Sequence, residues 1–228
     1  MRNSIAVSIL IAAGAADAAV IPNFQQPRHE AVADRMHTMA VQVVASGGGE
    51  KVSVASGVLV GDGIVLTDLR AVLAESSRGV LEPASEIAVL TAEGAFPASF
   101  VGAALDVDVA VLQLPQAARG LEGPPLAEGP SASGDQLLAI RASNQGAALL
   151  FEVIGFSIGR AEGDADGPQS TPALPISFAG APVFDASGAL AGLLVSPSEQ
   201  DGLIVPAARL RQILTRVRAA VPQVDDHI

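Results

Sequence analysis

The sequence predicts an all-β protein: two successive series of short antiparallel strands, closed by a single helix. Three observations predict it. First, the apolar runs 58–60 and 64–66 flank Gly61-Asp62-Gly63. An Asp-Gly pair between hydrophobic runs marks a hairpin, because glycine takes positive φ at no steric cost. Second, similar runs recur at close spacing on both sides of residues 116–130 (QAARGLEGPPLAEGP), a Gly-, Pro- and charge-rich segment that reads as the boundary between two halves. Third, a convincing helical period appears only at the end, where Leu210, Ile213, Leu214 and Val217 recur at helical spacing.

Taken in order, residues 1–19 read as an export signal. Arg2 gives a charged start, 5–13 an apolar centre, and Ala16-Asp17-Ala18 a small-residue cleavage site after Ala18 or Ala19. The apolar run falls well short of the roughly 20 residues a membrane span needs. Residues 20–35 carry Pro22 and Pro27 and read as a linker or short lead-in helix.

The first half, 36–118, begins with an alternating strand at 39–46 (MAVQVVAS) and turns at Gly47-Gly48-Gly49. It returns through 51–55 into the hairpin. Beyond the hairpin, Thr67-Asp68-Leu69 leads into Arg70-Ala71-Val72, an apolar turn that an exposed loop would not need. Strands follow at 87–91, 98–101 and 109–114, separated by Glu93-Gly94 and by 102–108. Six short strands without a helix among them fit an antiparallel barrel or sandwich.

In the second half, 119–228, the strands are 136–141 after the turn Ser133-Gly134-Asp135, then 148–154, a weak run at 156–159, 181–185 and 189–195. Residues 162–170 form a polar loop. Within it Gly163-Asp164-Ala165-Asp166-Gly167 lacks the further acidic ligands of a calcium loop and reads as a solvated turn. Pro206 opens the final helix, and Arg209, Arg211, Arg216 and Arg218 fill its other face. Those arginines read as a solvated face complementing an acidic body.

Composition excludes several function classes. Half of the residues are hydrophobic but only 3% are aromatic, with no Trp or Tyr, so base-stacking platforms are not expected. A net charge of -11 opposes binding to phosphate backbones, so no nucleic acid partner is expected. Without cysteine there is no disulfide, thiolate metal site or cysteine nucleophile. Nothing calls for a metal or a cofactor. His29 and His37 stand alone and read as solvated or structural.

The order of these motifs resembles the trypsin-like serine proteases, nearest the bacterial periplasmic high-temperature-requirement proteases. The hairpin from Ala55-Ser56-Gly57 to Arg70-Ala71-Val72 is similar to the segment that carries the family's catalytic histidine. Asp108-Val109-Ala110-Val111-Leu112 resembles the aspartate strand, and Gly134-Asp135 with Leu138-Ala139-Ile140 resembles the first strand of the second barrel. Pro175-Ile176-Ser177-Phe178-Ala179-Gly180 lies where the family has its nucleophile loop, and Gly202-Leu203-Ile204-Val205-Pro206 leads into the final helix. The resemblance covers roughly 38–220 and leaves no length for an appended peptide-binding domain.

The resemblance implies two packed six-stranded antiparallel β-barrels with a C-terminal α-helix and a working site in the cleft between them. It places the triad at Arg70, Asp108 and Ala179, and an oxyanion-hole-like segment at Ser177, Phe178 and Ala179. Only Asp108 keeps the family's residue, so no catalytic triad is intact. Arginine stays protonated and cannot serve as a general base at pH 7, and alanine carries no nucleophile. Ser177 and Ala181 also stand where the family has glycines. The expectation is an exported, periplasmic or secreted homologue that binds a peptide or protein partner and does not span a membrane. Arg70 is expected to hold a buried Asp108 in a salt bridge at the barrel interface. The alternative is an active serine-type endopeptidase with a non-standard triad, which needs His29, His37 or His227.

Overall fold

The computed structural model describes residues 7–9, 26–47, 52–75, 80–145, 148–158, 170–171, 174–195 and 203–220. In chain order the elements begin with β1 (Val7–Ile9), α1 (Gln26–Met36), β2 (Ala40–Ser46), β3 (Val52–Leu59), β4 (Ile64–Asp68), β5 (Leu73–Glu75) and β6 (Leu81–Pro83). Next come β7 (Glu86–Thr91), β8 (Gly94–Pro97), β9 (Ser99–Ala104) and β10 (Val109–Gln113). The second half has β11 (Gln136–Gln145), β12 (Ala148–Ile158), β13 (Ser170–Thr171), β14 (Pro182–Phe184), β15 (Leu190–Val195), β16 (Leu203–Pro206) and α2 (Ala207–Ala220).

The hairpin forms as its sequence dictates. β3 and β4 pair from Gly57↔Thr67 to Leu59↔Val65, and φ is positive at Gly61 (90°), Asp62 (54°) and Gly63 (68°). Asp62 is the one residue of the three that carries a Cβ, and aspartate tolerates this region better than most.

The first sheet has the order β8-β7-β2-β3-β4-β10-β9. Its two end strands are separated in sequence by Ala98 alone, so the sheet curls until its ends adjoin. The expected strand at 98–101 is β9, and β8 precedes it as a strand the sequence reading did not contain. Pro97 lacks the N–H a ladder needs, so the chain bends, and β8 pairs with β7 while β9 pairs with β10. The second sheet runs β1-β12-β11-β14-β15-β16, with β13 also on β12. Of the weak run at 156–159, residues 156–158 prove to be the end of the long β12, and residue 159 lies outside the described residues. β1 lies within the segment read as an export signal and adds a parallel edge strand to β12. β5 and β6 form a separate two-stranded ribbon. The exposed residues of β6 gave it no alternation to be read by.

Both faces of the central strands are buried, which is why they read as continuous apolar runs rather than as alternation. Along β10, Ala110 and Leu112 point into the first barrel with Val41, Val65 and Val89. Val109 and Val111 point the other way. Along β11, Leu137 and Ala139 enter the second barrel with Phe156 and Leu194, while Leu138, Ile140 and Ala142 face out of it. The outward sets meet in one seam, joined by Leu66, Phe151, Leu193, Val32 of α1 and Leu210 of α2. Leu66 is fully buried in that seam. Leu66→Ala should therefore cost about 2–5 kcal/mol, to be read as a shift in the denaturation midpoint at unchanged slope.

The helix arginines mostly hold the protein's own body. Arg209 pairs with Asp106, Arg218 with Asp62 at 3.2 Å, and Arg211 donates to the carbonyl oxygen of Ala127 at 2.9 Å. Pro206 closes β16, and the helix starts one residue later, at Ala207. The lead-in segment contains the three-turn α1. Of the loop at 162–170, all but Ser170 lies outside the described residues, the calcium-like run included. Among the described residues no helix is long and apolar enough to cross a membrane.

Candidate active site at the barrel junction

β4 leads directly into a 3₁₀ turn, Leu69–Val72. The carboxylate of Asp68 caps it, accepting the Arg70 amide at 2.8 Å, a local bond that short acidic side chains favour at such starts. Leu69, Ala71 and Val72 turn inward, and this buried apolar turn leaves Arg70 facing out. The Leu69 amide donates to the carbonyl oxygen of Asp108 at 2.8 Å, so the start of β10 is tied to the same turn.

The expected salt bridge is present: Arg70 Nη2 lies 3.3 Å from Asp108 Oδ2. Its expected burial is not. The Arg70 side chain is 71% exposed and that of Asp108 35%. Asp108 stands in the turn before β10, at φ 51°, and not inside the strand, so its carboxylate reaches solvent. Screened pairs of this kind contribute about 0–1 kcal/mol. Arg70→Ala should lower stability by less than about 1 kcal/mol in chemical denaturation.

Residues 175–180 carry Ala179, the third of the expected positions. Ile176–Phe178 forms a 3₁₀ turn pinned by fully buried Phe178, with the Arg141 guanidinium 5.9 Å from its ring centre. Phe178 N donates to Pro175 O at 2.9 Å and Ala179 N to Ile176 O at 3.0 Å. Two amides of the expected oxyanion-hole-like segment are thus spent inside the turn. Ser177 is exposed beside them.

The loop is docked on the first barrel by its backbone. Ser56 N donates to Ala179 O at 2.9 Å, and Thr67 Oγ1 donates to Ser56 O at 2.6 Å. The Ser56 hydroxyl accepts from Ala142 N of β11 at 3.1 Å. Ala179 is therefore seated against Ser56 of β3, whose own carbonyl is held by Thr67, the residue before the capping Asp68. Ser56 and Thr67 were not singled out from sequence. Their signal was a hydroxyl within a run of otherwise buried apolar residues, and both are essentially fully buried.

Of the three histidines that a non-standard triad could use, His37 is the one whose side chain lies among the described residues. His37 packs edge-on against Phe151, ring centres 5.1 Å apart, and its buried Nδ1 has no hydrogen-bond partner. A carboxylate orienting the ring through that nitrogen is therefore missing. His29 lies in α1, and His227 lies outside the described residues. Among the described residues no cluster of three or more His, Asp or Glu is placed to hold a metal.

Comparison with known proteins agrees with this architecture. The serine endoprotease from Yersinia pestis superposes with a TM-score of 0.67 at 22% identity, covering 83% of this chain and 66% of that one. The active form of the Rv3671c protease from M. tuberculosis gives 0.67 at 16% identity, covering 95% of this chain and 92% of that one. At such identities the likeness speaks to fold alone, and this chain spans less than two thirds of the Yersinia protein. No curated protein matches. The model of the trypsin-like peptidase domain matches residues 55–193, which run from the hairpin through the docked loop to β15 and make up more than half of the chain. By that match the chain belongs to the trypsin-like peptidase family.

Proposed function

We propose that this protein is an exported pseudoprotease, a trypsin-like scaffold that binds a peptide or protein partner and does not cut it. One observation carries the reading: a permanent cation, Arg70, sits beside Asp108, and Ala179 carries only a methyl group, at the positions the family resemblance assigns to the general base and the nucleophile. In a serine protease, losing either group lowers turnover by about 10⁶, and losing both costs little more because they act as one unit. Arg70 and Ile176, 71% and 76% exposed, are the contacts offered to a partner beside the docked loop. Arg70 retains guanidinium donors beyond the one that meets Asp108, and Ile176 adds an apolar surface.

The test is to assay the purified protein on casein and with a fluorophosphonate probe, with partner capture from its own envelope extract alongside. No cleavage, no labelling and a captured partner lost on Arg70→Glu are the expected results. Casein cleavage abolished by changing one serine or threonine would overturn the reading. Export is tested separately, by the N-terminus of the protein recovered outside the cytoplasm. It should begin at Ala19 or Val20, without β1, leaving β12 its pairings with β11 and β13. Recovery of a chain that still begins at Met1 would overturn the signal.

A further inference from the structure

Outside the junction, α2 and β9 enclose a groove of about 710 Å³, within the range of about 300–1,000 Å³ common for small-molecule sites. Its walls are apolar. Val111 and Ile213 lie buried beneath it, and Val101, Leu105 and Val217 line its open side. Leu105 is 78% exposed, and no atom stands within 4 Å of where a Cβ on Gly102 would sit, so the middle of the strand is uncovered. Exposed apolar residues gathered along one groove mark a binding surface, whereas single scattered ones do not.

The charge of the groove is equally particular. It is lined by one acid and one base, Asp106 and Arg216. Asp106 is neutralised from the side by Arg209. Arg216 differs from the other three arginines of α2. Each of those is tied to an acceptor on the body, whereas Arg216 has no hydrogen-bond or ion-pair partner among the described residues. On a chain of net charge -11, an unclaimed guanidinium at the mouth of an apolar groove makes a local cation beside hydrocarbon.

We propose that this groove binds a free long-chain carboxylate, its hydrocarbon along Val101, Leu105 and Val217 and its head on Arg216. The ligand class follows from complementarity. The walls favour burial of alkyl carbon, at about 25 cal/mol per Å², and the planar guanidinium pairs with a carboxylate through two parallel hydrogen bonds. An anionic membrane surface fits less well, because the acidic body would be repelled by it. The site is independent of the junction: a chain that cleaves casein yet binds the carboxylate overturns the proposed function and leaves this site standing.

The test is titration calorimetry of the full chain with sodium dodecanoate below its micellar concentration, with dodecanol, and with a peptide ending in a free apolar C-terminal residue. Saturable 1:1 binding of dodecanoate is expected, with dodecanol at least tenfold weaker. Arg216→Glu should weaken dodecanoate at least tenfold and leave dodecanol unchanged, while Leu105→Asp should weaken both. Both positions are exposed, and unchanged circular dichroism and melting would confirm that the variants fold. Absence of saturable binding, equal affinity for dodecanol, or indifference to Arg216→Glu would overturn the proposal. Preference for the peptide over dodecanoate would overturn it in favour of a peptide-end site.

Discussion

Gly180→Ala should destabilise the protein by more than about 3 kcal/mol, the range reserved for strained or colliding backbone substitutions. Gly180 has φ 76°, a left-handed conformation that costs a residue with a Cβ about 1–2 kcal/mol. The larger part is collision. A Cβ here lands on the carbonyl oxygen of Ser56 and comes within 2.8 Å of Thr67 Oγ1, and backbone cannot swing aside as a side-chain tip can. Relief would require the 175–180 loop to back away from β3, breaking the Ser56–Ala179 bond that docks it. Gly188→Ala is the control. Its φ is 87°, but the nearest atoms to a Cβ lie 3.4 Å off in the flexible Met36 side chain, so only the conformational cost of about 1–2 kcal/mol should appear. Equilibrium denaturation of the two variants separates collision from strain, and equal losses would contradict the close docking of the loop.

Rebuilding the two missing groups should not rebuild a protease. Arg70→His with Ala179→Ser restores a base and a nucleophile, but the amide of residue 179 is bonded to Ile176 O within the 3₁₀ turn and is not free to meet a developing oxyanion. Losing one such donor costs about 10²–10³ in turnover. Asp108, held by its exposed turn before β10, is partly solvated and orients an imidazole less firmly than a buried carboxylate does. The double variant is expected to hydrolyse an activated ester at a rate at least about 10²-fold below that of a working trypsin-like enzyme assayed beside it. Burst titration with the same ester measures it. Turnover on a par with the working enzyme would mean that the 175–179 turn opens readily, and that residue identity alone had silenced the site.

The sequence by itself determined what chemistry the side chains at the proposed triad positions can carry, and most of the strands. No tertiary arrangement gives alanine a nucleophile or lets arginine release its proton at neutral pH, so under the proposed assignment Arg70 and Ala179 rule out a triad by identity alone. The hairpin at 61–63 and the continuous runs of β10 and β15 were legible because their cause is local, lying in glycine's freedom at positive φ and in apolar residues buried on two faces. Only the tertiary structure decided that the Arg70–Asp108 pair faces solvent, because exposure depends on where the turn after β4 lies against β10, not on either residue. The same holds for the Ala179 amide, engaged by its own turn, and for Ser56 and Thr67, which became a docking seam when β3 and β4 met a loop from the other barrel. Local rules read a few neighbouring residues. The junction is made by backbone groups far apart in sequence, whose hydrogen bonds leave no mark on side-chain identity beyond a buried hydroxyl and a glycine.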